Sequence, residues 1–315
     1  MPNKKGAAAS SINSNLQPEY YNTYFAPKGG EMSKPKVEII YQDNDIIVIN
    51  KPSGVSVTKD RSGMPELLDF LAGQLEPQIC RQLRLVHRLD KDTSGVMILS
   101  KTAEAQSQFS SWFEKRLVKK TYLALVTGII SGYQGTIKTS IVRSRKNPAL
   151  MCTTGRKGKE AVTEWKLLAD FGTIALLAVK PLTGRTHQIR LHLTSIGLPL
   201  AIDPLYGSPR ALFLSDFKAD YRLARRQTEK PLIERLTLHA YQLSFRAQPQ
   251  AEPRNLIDNS FNRPAIFIAP LDKKFAATIK MLTKHNPKGQ KAFSLGDSLQ
   301  RDPDAFSKII NAKPL

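Results

Sequence analysis

Apolar residues in this chain come in short runs set in pairs, and runs of that length build sheets. "VEIIYQDNDIIVINKPSG" holds two strand-like runs, 37–41 and 45–49, with Asp43-Asn44-Asp45 as the turn between them. Pro52 and Gly54 stop the second run. "AVTEWKLLADFGTIALLAVKPL" repeats the plan around a turn at Asp170 to Thr173, and "KTYLALVTGII", "LTLHAYQLSF" and "PAIFIAPL" add single strands. Helical spacing is scarcer. Leu67, Leu68, Leu71 and Leu75 share a face, with Pro65 in the first turn. Ala105, Phe109, Trp112 and Phe113 predict a helix whose aromatics are core. "TGRTHQIRLHLTSIG" reads as a helix capped by Thr186, with Ile189, Leu193 and Ile196 on one face and Gly197 at its end. Residues 208–235 read as an insertion carrying one surface helix, and "DKKFAATIKMLTK" as a last helix. Strands outnumber helices and pair as hairpins, so the fold class is α+β with a mixed, mainly antiparallel sheet.

The charge speaks about partners. Forty-seven Lys and Arg against 27 Asp and Glu leave +20 at neutral pH, which points first to a polyanion. The excess is not in the tails: residues 1–40 and 285–315 each hold five basic and three acidic residues. Within 138–160, Lys138, Arg143, Arg145, Lys146, Arg156, Lys157 and Lys159 face the single Glu160, a basic hairpin or loop suited to nucleic-acid contact. Residues 1–36, polar and aperiodic, read as flexible, and 285–315 as a loose tail.

Two cysteines, Cys80 and Cys152, form neither a disulfide framework nor a zinc spacing. No apolar segment reaches about 18 residues, and the N-terminus lacks a signal-peptide core. A cytoplasmic chain that does not enter a membrane is expected.

Chemistry gathers in "RLVHRLDKDTSGVMILSKT", residues 84–102. Arg84, His87, Arg88, Asp90, Lys91 and Asp92 stand directly before the buried-strand run Val96 to Leu99. Arg88 and Asp90 alternate with Leu89, so on extended backbone they leave the same face. Asp92 and Thr93 suit side-chain-to-backbone bonds in a turn, and Gly95 permits a tight backbone. One carboxylate is thereby held at the lip of a sheet beside positive charge, where it stays ionised. That suits a nucleophile better than a general acid. His87, His187, His192 and His239 read as hydrogen-bonding framework; 187 and 192 lie roughly 140° apart around a helix and form no ligand face. Lys51 and Asp203 read as loop braces, Lys101 as a solvated helix start.

The run "HRLDKDTSG" (87–95) resembles the signature of the RluA-type pseudouridine synthases, RNA uridine isomerases. So do "NKPSGVSV" (50–57), "KKTYLALV" (119–126), "PLTGRTHQIRLHL" (181–193) with "DPLYG" (203–207), and "LTLHAYQLSF" (236–245) followed by "FIAPL" (267–271), all in the family's order. The resemblance implies a catalytic domain over 37–284 built around a central cleft, without the small N-terminal RNA-binding domain that many relatives carry. It implies that Asp90 is the catalytic aspartate and that Arg185 pairs with it. Tyr122 is then the tyrosine that stacks on the target uracil and is implicated in removing its proton, and Arg88 the residue that fills the space of the extruded base. His187 is expected to touch RNA near Arg185, and Arg143, Arg145, Lys146 and Lys157 to contact its backbone. No cofactor, metal or obligate protein partner is implied; the expected state is a monomer acting on tRNA or an rRNA stem-loop.

Two other readings compete. A retired enzyme kept as an RNA binder need not retain Asp90, Tyr122 and Arg185 together. A glycoside hydrolase needs a paired acid, and Asp92 is occupied by the turn.

Overall fold

The structure is a computed structural model, and it describes residues 36–285 apart from 60–63, 149, 155–157, 219, 224–226 and 246–264. The strands are β1 (Glu38–Gln42), β2 (Ile46–Lys51), β3 (Arg84–Leu85), β4 (Ser94–Ser100), β5 (Lys119–Thr127), β6 (Gln134–Arg143), β7 (Met151–Thr154), β8 (Lys159–Asp170), β9 (Ile174–Pro181), β10 (Leu238–Phe245) and β11 (Ala265–Ile268). The helices are α1 (Leu67–Ala72), α2 (Pro77–Gln82), α3 (Ala103–Glu114), α4 (Gln188–Ser195) and α5 (Lys273–His285). Among the described residues one sheet runs in the order β1-β2-β4-β10-β5-β9-β8-β6-β7, with β3 on β4 and β11 on β10. The β4–β10 pair is parallel and the other pairs are antiparallel, as the hairpin pattern predicts. None of the described helices is long and apolar enough to cross a membrane.

The β1–β2 turn forms as expected. Asp43 Oδ1 accepts from the backbone N–H of Asp45 and Ile46, each at 2.8 Å, and so replaces ladder partners that the turn removes. Lys101 is no solvated helix start: its Nζ donates to the Asp43 carbonyl at 2.6 Å and closes the same turn. All seven residues of β4 are buried, between Ile46–Ile49 on one side and β10 on the other. Leu67 and Leu71 of α1 and Ala105 and Phe109 of α3 complete that part of the core. Farther along the sheet, Ile189 and Leu193 of α4 pack with Leu177 and Val179. Phe275, Ile279 and Leu282 of α5 pack with Phe171, Leu176 and Tyr241.

Four helical expectations give way. Pro65 lies outside α1, whose N-cap is Glu66; the Glu66 N–H donates to Asp69 Oδ2 at 2.9 Å. That helix ends at Ala72, so Leu75 belongs to the connection, and the next proline, Pro77, opens α2. Ile196 is exposed because α4 stops one residue earlier. The 208–235 segment shows a short 3₁₀ turn, Leu214–Asp216, and a bridge between Leu212 and Ile233, where its weak periodicity had predicted a helix.

One row of cross-strand neighbours places the site. Gly95 pairs with Ala240, Ala240 with Tyr122, and Tyr122 with Val179. Gly95 has φ +118°, and a Cβ there would stand 2.1 Å from the Ala240 carbonyl oxygen and 2.6 Å from its nitrogen. No side chain fits between β4 and β10 at this point. Gly95→Ala is expected to cost on the order of 3 kcal/mol, read as a lowered urea midpoint; a midpoint unchanged from wild type would mean that the two strands part freely.

Candidate active site

Leu89 is buried and anchors the loop that leads into β4, so Arg88 is turned to solvent and Asp90 into a cleft. The loop is clamped from the side by the turn after β2. Lys51, wholly buried, donates through Nζ to the carbonyls of Pro52 (2.9 Å), Val55 (2.8 Å) and Lys91 (2.9 Å). Ser53 Oγ donates to the Asp92 carbonyl at 2.6 Å and the Gly54 N–H to the Lys91 carbonyl at 3.0 Å. Burial pulls the Lys51 ammonium down to about 7, against the opposing charges of Asp92 and Asp90. Lys51 is thus a brace, as expected, and what it braces is the turn that carries Asp90.

The cleft has a volume of about 570 Å³. It brings together five of the expected site residues, Arg88, Asp90, Tyr122, Arg185 and His187. Among the described residues, the Asp90 carboxylate holds no hydrogen bond or ion pair within the protein. Its charge is still felt by its neighbours. The Tyr122 phenol is pushed well above its ordinary value, first by burial and then by Asp90. Phe113 packs partly buried against the core, as expected, and it also lines the cleft and stacks on His87, with ring centroids 4.3 Å apart and planes at 24°.

Arg185 does not pair with Asp90. Its Nε donates to the Glu160 carbonyl at 3.1 Å, which turns the guanidinium toward β8. An exposed ion pair is worth at most about 1 kcal/mol, so one backbone acceptor at good geometry competes with it. The Arg185 backbone is held by Gln188, whose Oε1 accepts from the Arg185 N–H at 2.9 Å and from Thr183 Oγ1 at 2.7 Å. Gln188 Nε2 donates to the Val162 carbonyl (3.0 Å) and Thr163 Oγ1 (2.9 Å), so this buried amide ties the loop to β8.

The cap of α4 is His187, not Thr186, because His187 takes the left-handed conformation at φ 54°, ψ 21°. Its Nδ1 lies 2.7 Å from the Tyr206 hydroxyl. That hydroxyl also accepts from the Met151 N–H at 2.9 Å, so the ring is part of a hydrogen-bonding framework that ties α4 to β7. Burial holds His187 below its ordinary value, consistent with that role. The other expected framework histidines behave alike. His87 Nε2 accepts from the Ile98 N–H at 3.0 Å, with burial lowering the ring to about 3. His239 lies 2.9 Å from Ser94 Oγ and 3.1 Å from the Ala269 carbonyl, and burial lowers it to about 4. His192 lies 3.0 Å from Thr139 Oγ1, and burial lowers it to about 4 as well.

Four charged residues of the cleft, Glu114, Arg116, Lys120 and Arg190, were not picked out from the sequence. Arg190 is buried on α4 and grips Asp203 with two bonds, Nε to Oδ2 at 2.8 Å and Nη2 to Oδ1 at 2.5 Å. It also sits over the Tyr206 ring, 5.1 Å from the centroid. Lys120 lies two residues before Tyr122 on β5 and lines the same cleft. The strand period of two was the available signal for Lys120, whereas a helical arginine gives none.

Of the expected backbone contacts, Arg143, Arg145 and Lys146 are exposed at the β6–β7 end and do not line the cleft. Lys157 lies outside the described residues. The hairpin is joined to the cleft through the Met151–Tyr206 bond. Among the described residues, no three His, Cys, Asp or Glu side chains stand together as a metal site.

Residues 45–195 match the family described as RNA pseudouridylate synthase. Over 247 residues the chain is 36% identical to "Ribosomal large subunit pseudouridine synthase D" of Neisseria meningitidis serogroup B, covering 78% of this chain and 62% of that one. It is 34% identical over 249 residues to "Ribosomal large subunit pseudouridine synthase C" of Buchnera aphidicola subsp. Baizongia pistaciae, covering 78% and 70%. The chain therefore spans less than two thirds of the first relative's length. Among solved structures, "Human RNA Pseudouridylate Synthase Domain Containing 4" superposes with a TM-score of 0.54 at 25% identity, covering 78% of this chain and 92% of that one.

Proposed function

The chain belongs to the RNA pseudouridylate synthase family, and on that premise we propose that it isomerises specific uridines to pseudouridine in structured RNA, a tRNA or rRNA stem-loop. The observation that carries the reading is the Asp90 carboxylate, held rigidly through its backbone while its oxygens are left to a substrate. The reaction breaks the N1–C1′ bond, turns the ring while it is held, and joins C5 to C1′. Asp90 is the group that breaks the first bond, by attack at C1′ or by taking the C2′ proton to leave a glycal; both need an ionised carboxylate. Tyr122 supplies the aromatic platform for the ring. A stacked base cannot react inside a helix, so it is flipped out at a cost of a few kcal/mol. Arg88 fills the gap, a role supported by its exposure on the rim beside Asp90. RNA loops, whose bases are already partly unstacked, are the natural targets. Arg143, Arg145, Lys146, Lys157 and His187 serve the backbone around that loop. The names of the two relatives put rRNA first among the substrates to test. The catalytic domain is 37–284, and the protein works as a cytoplasmic monomer without a cofactor.

The test is tritium release from RNA labelled at uracil C5, with rRNA and tRNA transcripts as substrates. Wild-type protein should release one tritium per uridine converted, and no release from any cellular RNA would end the proposal. In the same assay Arg88→Ala is expected to lose at least about tenfold more activity on a folded stem-loop than on a short unstructured oligonucleotide, since one unpaired base step is worth a few kcal/mol. Equal losses on both would remove the wedge from Arg88.

A further inference from the structure

After C5 has joined C1′, C5 must lose its proton, a step that the family resemblance by itself gives to Tyr122. We propose that the amine of Lys120 takes that proton, and that Tyr122 keeps the stacking role. This rests on the uridine isomerase reading above and adds a residue to it.

The geometry is that of a base set beside the ring platform. Lys120 and Tyr122 are separated by one residue on β5, so both side chains leave the same face of the strand and enter the same cleft as Asp90. Lys120 is half-buried, and its Nζ reaches across to the loop after β9, where it donates to the Thr183 carbonyl at a long 3.4 Å. Nζ lies beside Gly184, where a Cβ would stand 3.7 Å away in ordinary contact, so the amine reaches the loop that carries Arg185. Among the described residues no carboxylate lies within ion-pair distance of it. Its charged neighbour is Arg116, which lines the same cleft. The cleft, which Asp90 and Glu114 also line, thus presents a lysine anchored by one weak bond and, among the described residues, in contact with no carboxylate.

The electrostatics favour the amine over the phenol. Burial and then Arg116 push the Lys120 ammonium below its ordinary value, which makes the neutral amine easier to reach. Burial and then Asp90 push the Tyr122 phenol the other way, which makes a phenolate harder to reach. A base that works near neutral pH must be available unprotonated, and the two shifts point to Lys120.

The step balances. Cleavage of N1–C1′ leaves its electron pair on the uracil, and attack through C5 forms C5–C1′ and a C6=N1 double bond. The Lys120 lone pair takes the C5 proton, the C5–H pair becomes the C5=C6 double bond, and the C6=N1 pair moves onto N1. N1 then takes up one proton, from the ammonium or from water, so nothing is oxidised or reduced.

The experiment compares wild type, Lys120→Met and Lys120→Arg in single turnovers on one stem-loop made with uridine, 5-deuterouridine or 5-fluorouridine. A fluorine at C5 cannot leave as a cation, so the fluorinated ring is transferred without the proton-loss step. Both variants should convert the uridine RNA about 10²- to 10³-fold more slowly. Both should also show a larger isotope effect with 5-deuterouridine than wild type. Their loss in breaking the glycosidic bond of the 5-fluorouridine RNA should be at least tenfold smaller. Arg keeps the charge and the donors but cannot act as a base near neutrality, so activity retained by Lys120→Arg overturns the proposal. Equal slowing of uridine and 5-fluorouridine RNA overturns it too, since Lys120 would then hold RNA. Wild-type protein inactive on every RNA would fail the uridine isomerase reading itself, before any variant is compared.

Discussion

Asp90→Asn is expected to give a folded protein whose conversion of uridine is lower by at least ~10⁴-fold, the scale seen when a nucleophile is removed from an otherwise intact site. The substitution keeps size and shape but gives up the charge and the reactive oxygen. The fold should not register it, because the described Asp90 carboxylate makes no bond inside the protein. What holds Asp90 in place is backbone: the Thr93 N–H donates to its carbonyl at 3.1 Å, and Lys51 and Gly54 fix the next carbonyl, that of Lys91. The urea midpoint should therefore match wild type while tritium release disappears. The same variant should leave RNA binding near wild type, since the basic rim is untouched. Activity within tenfold of wild type would take the chemistry away from Asp90, and a collapsed midpoint would show that the carboxylate has a structural partner.

Much of this arrangement was legible before the fold was known, and the exceptions share a cause. The β1–β2 turn, the buried run of β4, the hairpin of β8 and β9, and the alternation of Arg88, Leu89 and Asp90 are all set by neighbours in sequence. Local chemistry decides them, and they stand where the pattern put them. The misplacements are cases where a distant residue wins. Thr186 is an acceptable cap by itself, but Gln188 reaches to β8 and Tyr206 reaches to His187, and together they move the cap by one residue. Arg185 finds the Glu160 carbonyl, 25 positions away, before it finds Asp90. Phe113 keeps its place against the core on the stripe of α3, and the stack on His87 that it adds in the cleft is a contact that no local spacing shows. Arg190 and Asp203 are 13 residues apart, one on a helix and one in a loop, and no spacing rule joins them.

That last pair gives the largest expected effect on stability. Asp203→Ala should lower stability by ~4 kcal/mol, the usual cost of leaving one member of a buried ion pair unmatched. Arg190 is 2% exposed and has no water to turn to, and Asp203 is 1% exposed. The loss reaches beyond the charge. Asp203 Oδ1 also accepts from the N–H of Leu205 at 2.9 Å and of Tyr206 at 3.1 Å, so the loop that presents the Tyr206 hydroxyl to His187 loses its anchor. A second substitution separates the two contributions. Arg190→Met in the Asp203→Ala background removes the unmatched charge and puts apolar volume in its place, which for buried pairs is often close to neutral. The double variant should therefore recover more than half of the lost stability in urea unfolding, a coupling that independent sites do not show. It should not recover full activity, because the thioether side chain sets no cation over the Tyr206 ring and the alanine restores no acceptor for the loop. A double variant as unstable as the sum of its parts would mean that the loop anchor, and not the buried charge, carries the cost. A double variant with both stability and activity restored would detach this pair from the site, and His187 would then owe its left-handed backbone to Gln188 and Tyr206 without help from the charges behind them.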